Sequence, residues 1–146
     1  MSVKAILNAK GRKVIAIPPH TKVMVAVQRM KLENIAAIMV SSDSGKTVEG
    51  ILSERDIVRA LIDHKGDVLD LPVSELMSRA VVTCTPEDSV ASVMRTMTKR
   101  RFRHIPVVEN GTVVGLVSIG DVVKDRMDTM EMETSVLRDY IVAHNG

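Results

Sequence analysis

Tryptophan is absent, and Phe102 and Tyr140 are the only aromatic residues among 146. A core without large rings has to be filled by Val, Ile, Leu and Met, and ten Met residues suit adaptable packing or a soft interface. Few aromatics also leave little on which nucleic-acid bases would stack. The net charge of +2 is too small to imply a nucleic-acid partner by itself. The single Cys84 excludes an internal disulfide and fits a reducing compartment; it falls in a predicted strand and reads as a buried, inert thiol. No apolar run reaches the roughly 18 residues of a membrane span, and no apolar h-region follows the first basic residues. The expectation is a soluble, cytoplasmic protein with no membrane partner. Catalytic signals are missing too. His20, His64, His104 and His144 are scattered without zinc-ligand spacing, and no Gly-x-Ser-x-Gly, P-loop or Gly-x-Gly-x-x-Gly occurs. No catalytic or metal site is expected, and the chain does not read as an enzyme.

What the chain has is a duplication. Gly50-Ile51-Leu52-Ser53-Glu54-Arg55-Asp56 and Gly115-Leu116-Val117-Ser118-Ile119-Gly120-Asp121 share Gly, two apolar residues, Ser, two residues and Asp. The match extends to both sides. Val23, Ala26, Val27 and Met30 correspond to Val90, Val93, Met94 and Met97, and Pro19 to Pro86, all 67 residues apart. The offset drops to 65 at the glycines because the first copy has the longer turn Ser42-Asp43-Ser44-Gly45-Lys46. The lead-ins Val3 to Leu7 and Val73 to Met77 agree loosely. An apolar content of 45% is enough for one compact domain, or for two half-size units sharing a core.

Each copy reads strand, helix, strand, strand, helix. Val14 to Ile17 and Ala80 to Cys84 are predicted strands. Val23 to Met30 carries apolar residues at helical spacing. Asp88 or Ser89 is a suitable N-cap for the matching helix. Ala36 to Val40 with Thr47 to Ser53 predicts a hairpin, and Asn110-Gly111 predicts a second, tighter one whose turn needs positive φ. Ile57, Val58, Leu61 and Ile62 form one helical stripe. Past the second copy, Val123, Met127, Met130, Leu137 and Ile141 continue a seam, either packed on its own domain or paired across a homodimer. The chain divides into residues 1–68, 69–127 and a helical tail, 128–146.

The Ser-x-x-Asp element has two readings. As structure it is a capping box, with Ser accepting from the backbone N–H three residues on. As a site, a strand feeding a helix start offers free N–H groups, a hydroxyl and the positive dipole end, which suit phosphate. An Asp one turn in can accept from both ribose hydroxyls. Recurrence at equivalent places, the short reach of Asp, and a Gly that leaves space beside the strand favour the site.

These two motifs, with Arg103-His104-Ile105-Pro106-Val107 and with Val82-Thr83 leading into Pro86-Glu87-Asp88, make the chain resemble a tandem pair of CBS domains (the cystathionine β-synthase module, or Bateman module). The resemblance spans residues 3 to 127. It implies an α+β fold of two β-α-β-β-α repeats, packed sheet to sheet with pseudo-twofold symmetry. Two clefts for adenosine-containing ligands follow: AMP, ADP, ATP, NAD(H) or S-adenosylmethionine. The implied ligand residues are Ser53, Arg55, Asp56, Thr83, Arg103, His104, Ile105, Pro106, Ser118, Gly120 and Asp121, with Asp56 and Asp121 as ribose acceptors. A homodimer and an unidentified protein target are implied as partners. Arg103 and His104 correspond to Ala36 and Ala37, so one cleft is expected to favour phosphate more than the other, or else the alanines leave room for a bulkier ligand such as a dinucleotide. Lys10, Arg12 and Lys13 stand where they can reach outer phosphates. A stand-alone sensor is the leading function; a non-catalytic interaction or nucleic-acid-binding dimer with vestigial clefts is the alternative.

Overall fold

The computed structural model describes residues 1–64 and 66–145; Lys65, Gly146 and the side chains of His144 and Asn145 lie outside this description. The element order is α1 (Val3–Lys10), β1 (Ala16–Ile17), α2 (Val23–Glu33), β2 (Ala37–Val40), β3 (Gly50–Ser53), α3 (Glu54–His64), α4 (Val90–Arg100), β4 (His104–Glu109), β5 (Thr112–Ser118) and α5 (Ile119–Asn145), with short 3-10 turns at Val68–Asp70 and Val73–Glu75. β1 runs parallel to β2, which pairs antiparallel with β3. β4 and β5 form the second, antiparallel sheet.

Local chemistry explains most boundaries. Ser89 caps α4 by accepting from Ser92 N–H at 3.1 Å. Asn110 and Gly111 both adopt positive φ, 53° and 77°, as the tight hairpin demands. In the longer first turn, Asp43 accepts from Ser41 Oγ at 2.6 Å and from Thr47 N–H at 2.9 Å. The Ser41 bond leads a set that holds the Asp43 carboxyl at about 2.

One expected strand does not form. Ala80 to Val82 run irregularly, and only Cys84 makes a bridge, parallel to Val107. Cys84 N–H donates to Pro106 C=O at 3.0 Å, and Val108 N–H to Cys84 C=O at 2.7 Å. The β-branched run has a partner strand within reach at one residue alone, so propensity is overridden. Cys84 itself is buried, and burial pushes its thiol up to about 12.

Two hydrophobic cores result, and each lead-in belongs by packing to the other copy. Val3, Ile6 and Leu7 sit with Val90, Val93, Met97, Ile105 and Val117, while Val73 and Met77 sit with Val23, Ala26, Met30 and Ile38. The backbone repeats the exchange bond for bond. Val3 N–H donates to Asp88 C=O, Lys4 N–H to Pro86 C=O and Val90 N–H to Met1 C=O, at 2.9, 2.9 and 3.0 Å. Val73 N–H to Thr21 C=O, Ser74 N–H to Pro19 C=O and Val23 N–H to Leu71 C=O follow at 2.8, 3.1 and 2.9 Å. The pseudo-twofold relation is thus written into hydrogen bonds as well as sequence.

Outward faces are apolar in places. Val58, Leu61 and Ile62 on α3, and Val123, Met127, Met130, Leu137 and Ile141 on α5, are exposed. The tail therefore does not pack on its own domain, which corrects one of the two readings of that seam.

Candidate functional site

Each copy delivers its Ser to the start of a helix by the end of a strand. Asp56 N–H donates to Ser53 Oγ at 3.3 Å, and Ser53 N–H and Oγ–H both donate to Asp56 Oδ2 at 2.9 Å. In the second copy Asp121 N–H donates to Ser118 Oγ at 3.1 Å and Ser118 N–H to Asp121 Oδ2 at 2.8 Å. The capping box is closed in both copies, so the short reach of Asp does not argue against it. The glycines, expected to leave space beside their strands, leave none. A Cβ on Gly50 would meet Met77 Sδ at 2.6 Å and Ser78 C=O at 2.9 Å, and one on Gly115 would meet Leu7 Cδ2 at 2.6 Å. The space beside each strand is filled by an exchanged lead-in and holds no ligand.

The cap nevertheless opens on a cleft. A cavity of about 380 Å³ is lined by Ser53, Glu54, Arg55, Asp56 and Arg59 from the first copy, by Ser78, Ala80 and Val81 from the crossing segment, and by Arg101, Phe102, Arg103 and His104 from the second. Four arginines and one histidine face two carboxylates there, so the field is positive at the N-terminus of α3, where the helix dipole adds to it. Arg103 is anchored by its own carbonyl, which accepts from Ile119 N–H at 2.8 Å. Burial lowers the pKa of His104, the Lys10 charge lowers it further, and Asp121 opposes both.

The structure thus gathers Ser53, Arg55, Asp56, Arg103 and His104 at one cleft. It does not gather the others there. Ile105 is 1% exposed in the second core. Pro106 is buried too, with its carbonyl committed to Cys84. Ile105 leaves the cleft because it shares with Val107 the face of β4 that meets the core, and Pro106, on the opposite face, lies outside the lining. Thr83 is exposed outside the lining. Ser118, Gly120 and Asp121 stand at the start of α5, where Lys10 Nζ donates to Asp121 Oδ2 at 2.6 Å and to Leu116 C=O at 2.9 Å. Burial raises the Asp121 carboxyl, but the hydrogen bonds from Lys10 and Ser118 outweigh it, and the net direction is down.

Glu54, Arg59, Arg101 and Phe102 escaped the sequence reading. Arg59 lies one turn beyond Arg55, a spacing that shares a helix face. Arg101 ends α4 in the left-handed region at φ 58°, where the equivalent Asn34 has φ 54°. A bulky basic residue in a conformation suited to Asn or Gly is the signal, since such strain gathers at functional positions.

Two repeats that exchange their lead-ins and close a basic cleft between them define a paired-repeat module. A family model for the CBS domain matches residues 3–63 and 73–128; the chain belongs to the CBS-domain family, as a tandem pair. Among curated relatives, the CBS domain-containing protein CBSX3, mitochondrial, of Arabidopsis thaliana is 34% identical over 119 residues, covering 80% of this chain and 58% of that protein. CBSCBSPB1 of the same plant is 31% identical over 128 residues, 88% of this chain but 23% of its own length. The chain therefore spans less than two thirds of either relative's length. Among solved structures, a CBS-domain containing protein of Agrobacterium tumefaciens superposes with a TM-score of 0.82 at 39% identity, covering 86% of this chain and 99% of that one. The CBS domain pair of protein MJ0100, solved with 5-methylthioadenosine and S-adenosylmethionine, gives 0.77 at 27% identity, covering 88% and 98%. No described helix is long and apolar enough to cross a membrane.

Proposed function

We propose that this CBS pair is a cytoplasmic regulatory module that takes an adenosine-containing ligand bearing phosphate, AMP, ADP, ATP or NAD(H), in the cleft between its repeats. The observation that carries this reading is the meeting of Ser53 and Asp56 at the start of α3 with Arg101, Arg103 and His104 of the other copy. Asp56 accepts the ribose hydroxyls, and the arginines and the helix start neutralise phosphate. The volume falls in the range of small-molecule sites, roughly 300–1,000 Å³. The MJ0100 pair holds adenosine compounds on the same fold. Ligand bridging the two copies couples occupancy to their relative orientation, provided its affinity differs between arrangements. The exposed apolar faces of α3 and α5 then transmit the change to a second copy of the chain or to a target protein. No catalytic step is part of this reading.

The test is a thermal-shift panel of AMP, ADP, ATP, NAD⁺, NADH and S-adenosylmethionine on wild type, Asp56→Ala and Asp121→Ala. A ligand at a hundredfold excess over its dissociation constant stabilises by about 2.7 kcal/mol. One ligand whose shift is lost in Asp56→Ala supports the reading. No shift with any of them defeats it and favours the interaction dimer, which the apolar stripes on α3 and α5 already recommend as a second reading.

A further inference from the structure

The two clefts are unequal in a way that charge at Arg103 and His104 does not explain. The lead-ins are equivalent from Val3/Val73 to Leu7/Met77, and the same register sets Lys10 against Ala80. Ala80 lines the open cleft. Lys10 instead reaches Asp121, the counterpart of Asp56, at 2.6 Å, with its side chain 38% exposed and that of Asp121 23%. The reason lies in the shape of the lead-ins. After its 3-10 turn the second lead-in runs on to Ser78, which pairs with Ile51 through both backbone groups, at 3.0 and 2.9 Å. The first lead-in stays helical to Lys10. Among the described residues no strand-like segment covers Leu116, the counterpart of Ile51, and Lys10 Nζ supplies the donor to its carbonyl at 2.9 Å.

We propose that Lys10 is an internal cation that fills the second cleft at its carboxylate, so that the pair has one open ligand site and one latched site that a ligand enters only by displacing Lys10. The proposal rests on the adenosine-ligand reading above. A ribose hydroxyl and the ammonium group compete for the same Asp121 oxygen, and the ammonium bond is charge-assisted and the stronger of the two. The second cleft also offers little in exchange. At the places of Arg55 and Arg101 it has Gly120 and Asn34, while Arg59 keeps a cationic counterpart in Lys124, so phosphate gains fewer guanidinium partners there and repays less of the loss of Lys10. The latch therefore sets both stoichiometry and ligand class: one phosphorylated ligand per chain while Lys10 is in place, and a bare nucleoside in the second cleft once it is gone.

Calorimetric titration with AMP and with adenosine tests this on the full chain. Wild type is expected to bind one AMP, lost in Asp56→Ala. Lys10→Ala is expected to take a second ligand, most readily adenosine, and Lys10→Ala with Asp56→Ala to keep that second event alone. An unchanged single event in Lys10→Ala overturns the latch, as do two events in wild type or weaker binding in Lys10→Ala, which would make Lys10 a ligand contact. A ligand-free readout separates failure of the latch from failure of the adenosine reading. The groups around Asp121 are Lys10 from α1, Ser118 from β5 and His104 from β4. In a carboxyl titration by carbon NMR, Lys10→Ala is expected to move Asp121 upward. If Asp121 does not move, the contact is absent in solution and the latch falls. If neither probe binds any variant, the adenosine reading falls and the titration alone decides the contact.

Discussion

Asp56 and Asp121 make the same cap, at the same distances to within a few tenths of an ångström, yet one faces an arginine-lined cleft and the other an ammonium group of its own chain. Duplication kept the hydrogen bonds that hold the fold and released the side chains around them. The capping box alone therefore cannot report which copy binds. The residues that arrive from the partner repeat and from the exchanged lead-in decide that.

The largest effect that bears on the comparison concerns the exchange itself. Leu7 is fully buried, precedes the first copy and packs in the second core. Leu7→Ala should lower stability by about 2–5 kcal/mol, from lost transfer energy and the cavity left behind, read as a fall in the urea midpoint without a change in slope. Met77→Ala should cost a comparable amount through the first core. If Leu7→Ala were nearly neutral, the exchanged lead-in would be an ornament on the second repeat, and the two-core description would fail.

The glycines divide the copies next. A methyl on Gly115 meets the tip of Leu7, which can turn aside, whereas a methyl on Gly50 meets the backbone carbonyl of Ser78 as well as Met77. Overpacking that the neighbours cannot relieve costs about 1–3 kcal/mol. Gly50→Ala is expected near the upper end of that range and Gly115→Ala near or below the lower. Equal losses in chemical denaturation would mean that Ser78 gives way as easily as a leucine side chain does.

Much of this was legible in sequence and some was not, for physical reasons. The register of the repeat puts Ser53, Asp56, Ser118 and Asp121 at helix starts, as the structure has them, because caps, hairpins and helical stripes are local. Asn110-Gly111 is read directly from its turn chemistry. The exchange of lead-ins leaves no local periodicity: Leu7 and Gly115 meet across more than a hundred residues. Lys10 and Asp121 lie 111 residues apart, so a lysine near the first strand gives no hint of its partner. The strand expected at Ala80 to Cys84 has the right residues and lacks a neighbouring strand over most of its length. Arg101 follows two other basic residues at the end of α4, with nothing local to set it apart, and it stands in the cleft lining with a left-handed backbone.

Binding sharpens the comparison further. Arg103 lines the open cleft, so Arg103→Ala should strip one guanidinium group from its phosphate side. Loss of a charged hydrogen bond to phosphate should weaken AMP by about 1.5–3 kcal/mol, while binding of adenosine should change little. Equal losses for the two ligands would place Arg103 at the base or ribose and not at the phosphate.

The smallest effect is one of proton linkage. Burial and the Lys10 charge lower His104 below its ordinary 6.5, so the folded chain favours the neutral imidazole. That contribution to stability is fully present above the unfolded value and is lost as pH falls from it toward the folded value. Phosphate in the first cleft reverses the preference, because an anion beside the ring favours imidazolium. AMP binding near neutrality should then take up a fraction of a proton, and affinity should rise as pH drops toward 6.5. The phosphate of AMP titrates in the same window, so the informative quantity is the difference between wild type and His104→Gln, measured by calorimetry in buffers of unlike ionisation enthalpy. A smaller proton uptake in His104→Gln ties the linkage to the imidazole. Equal uptake in the two proteins would mean that the ligand's phosphate lies beyond reach of the ring.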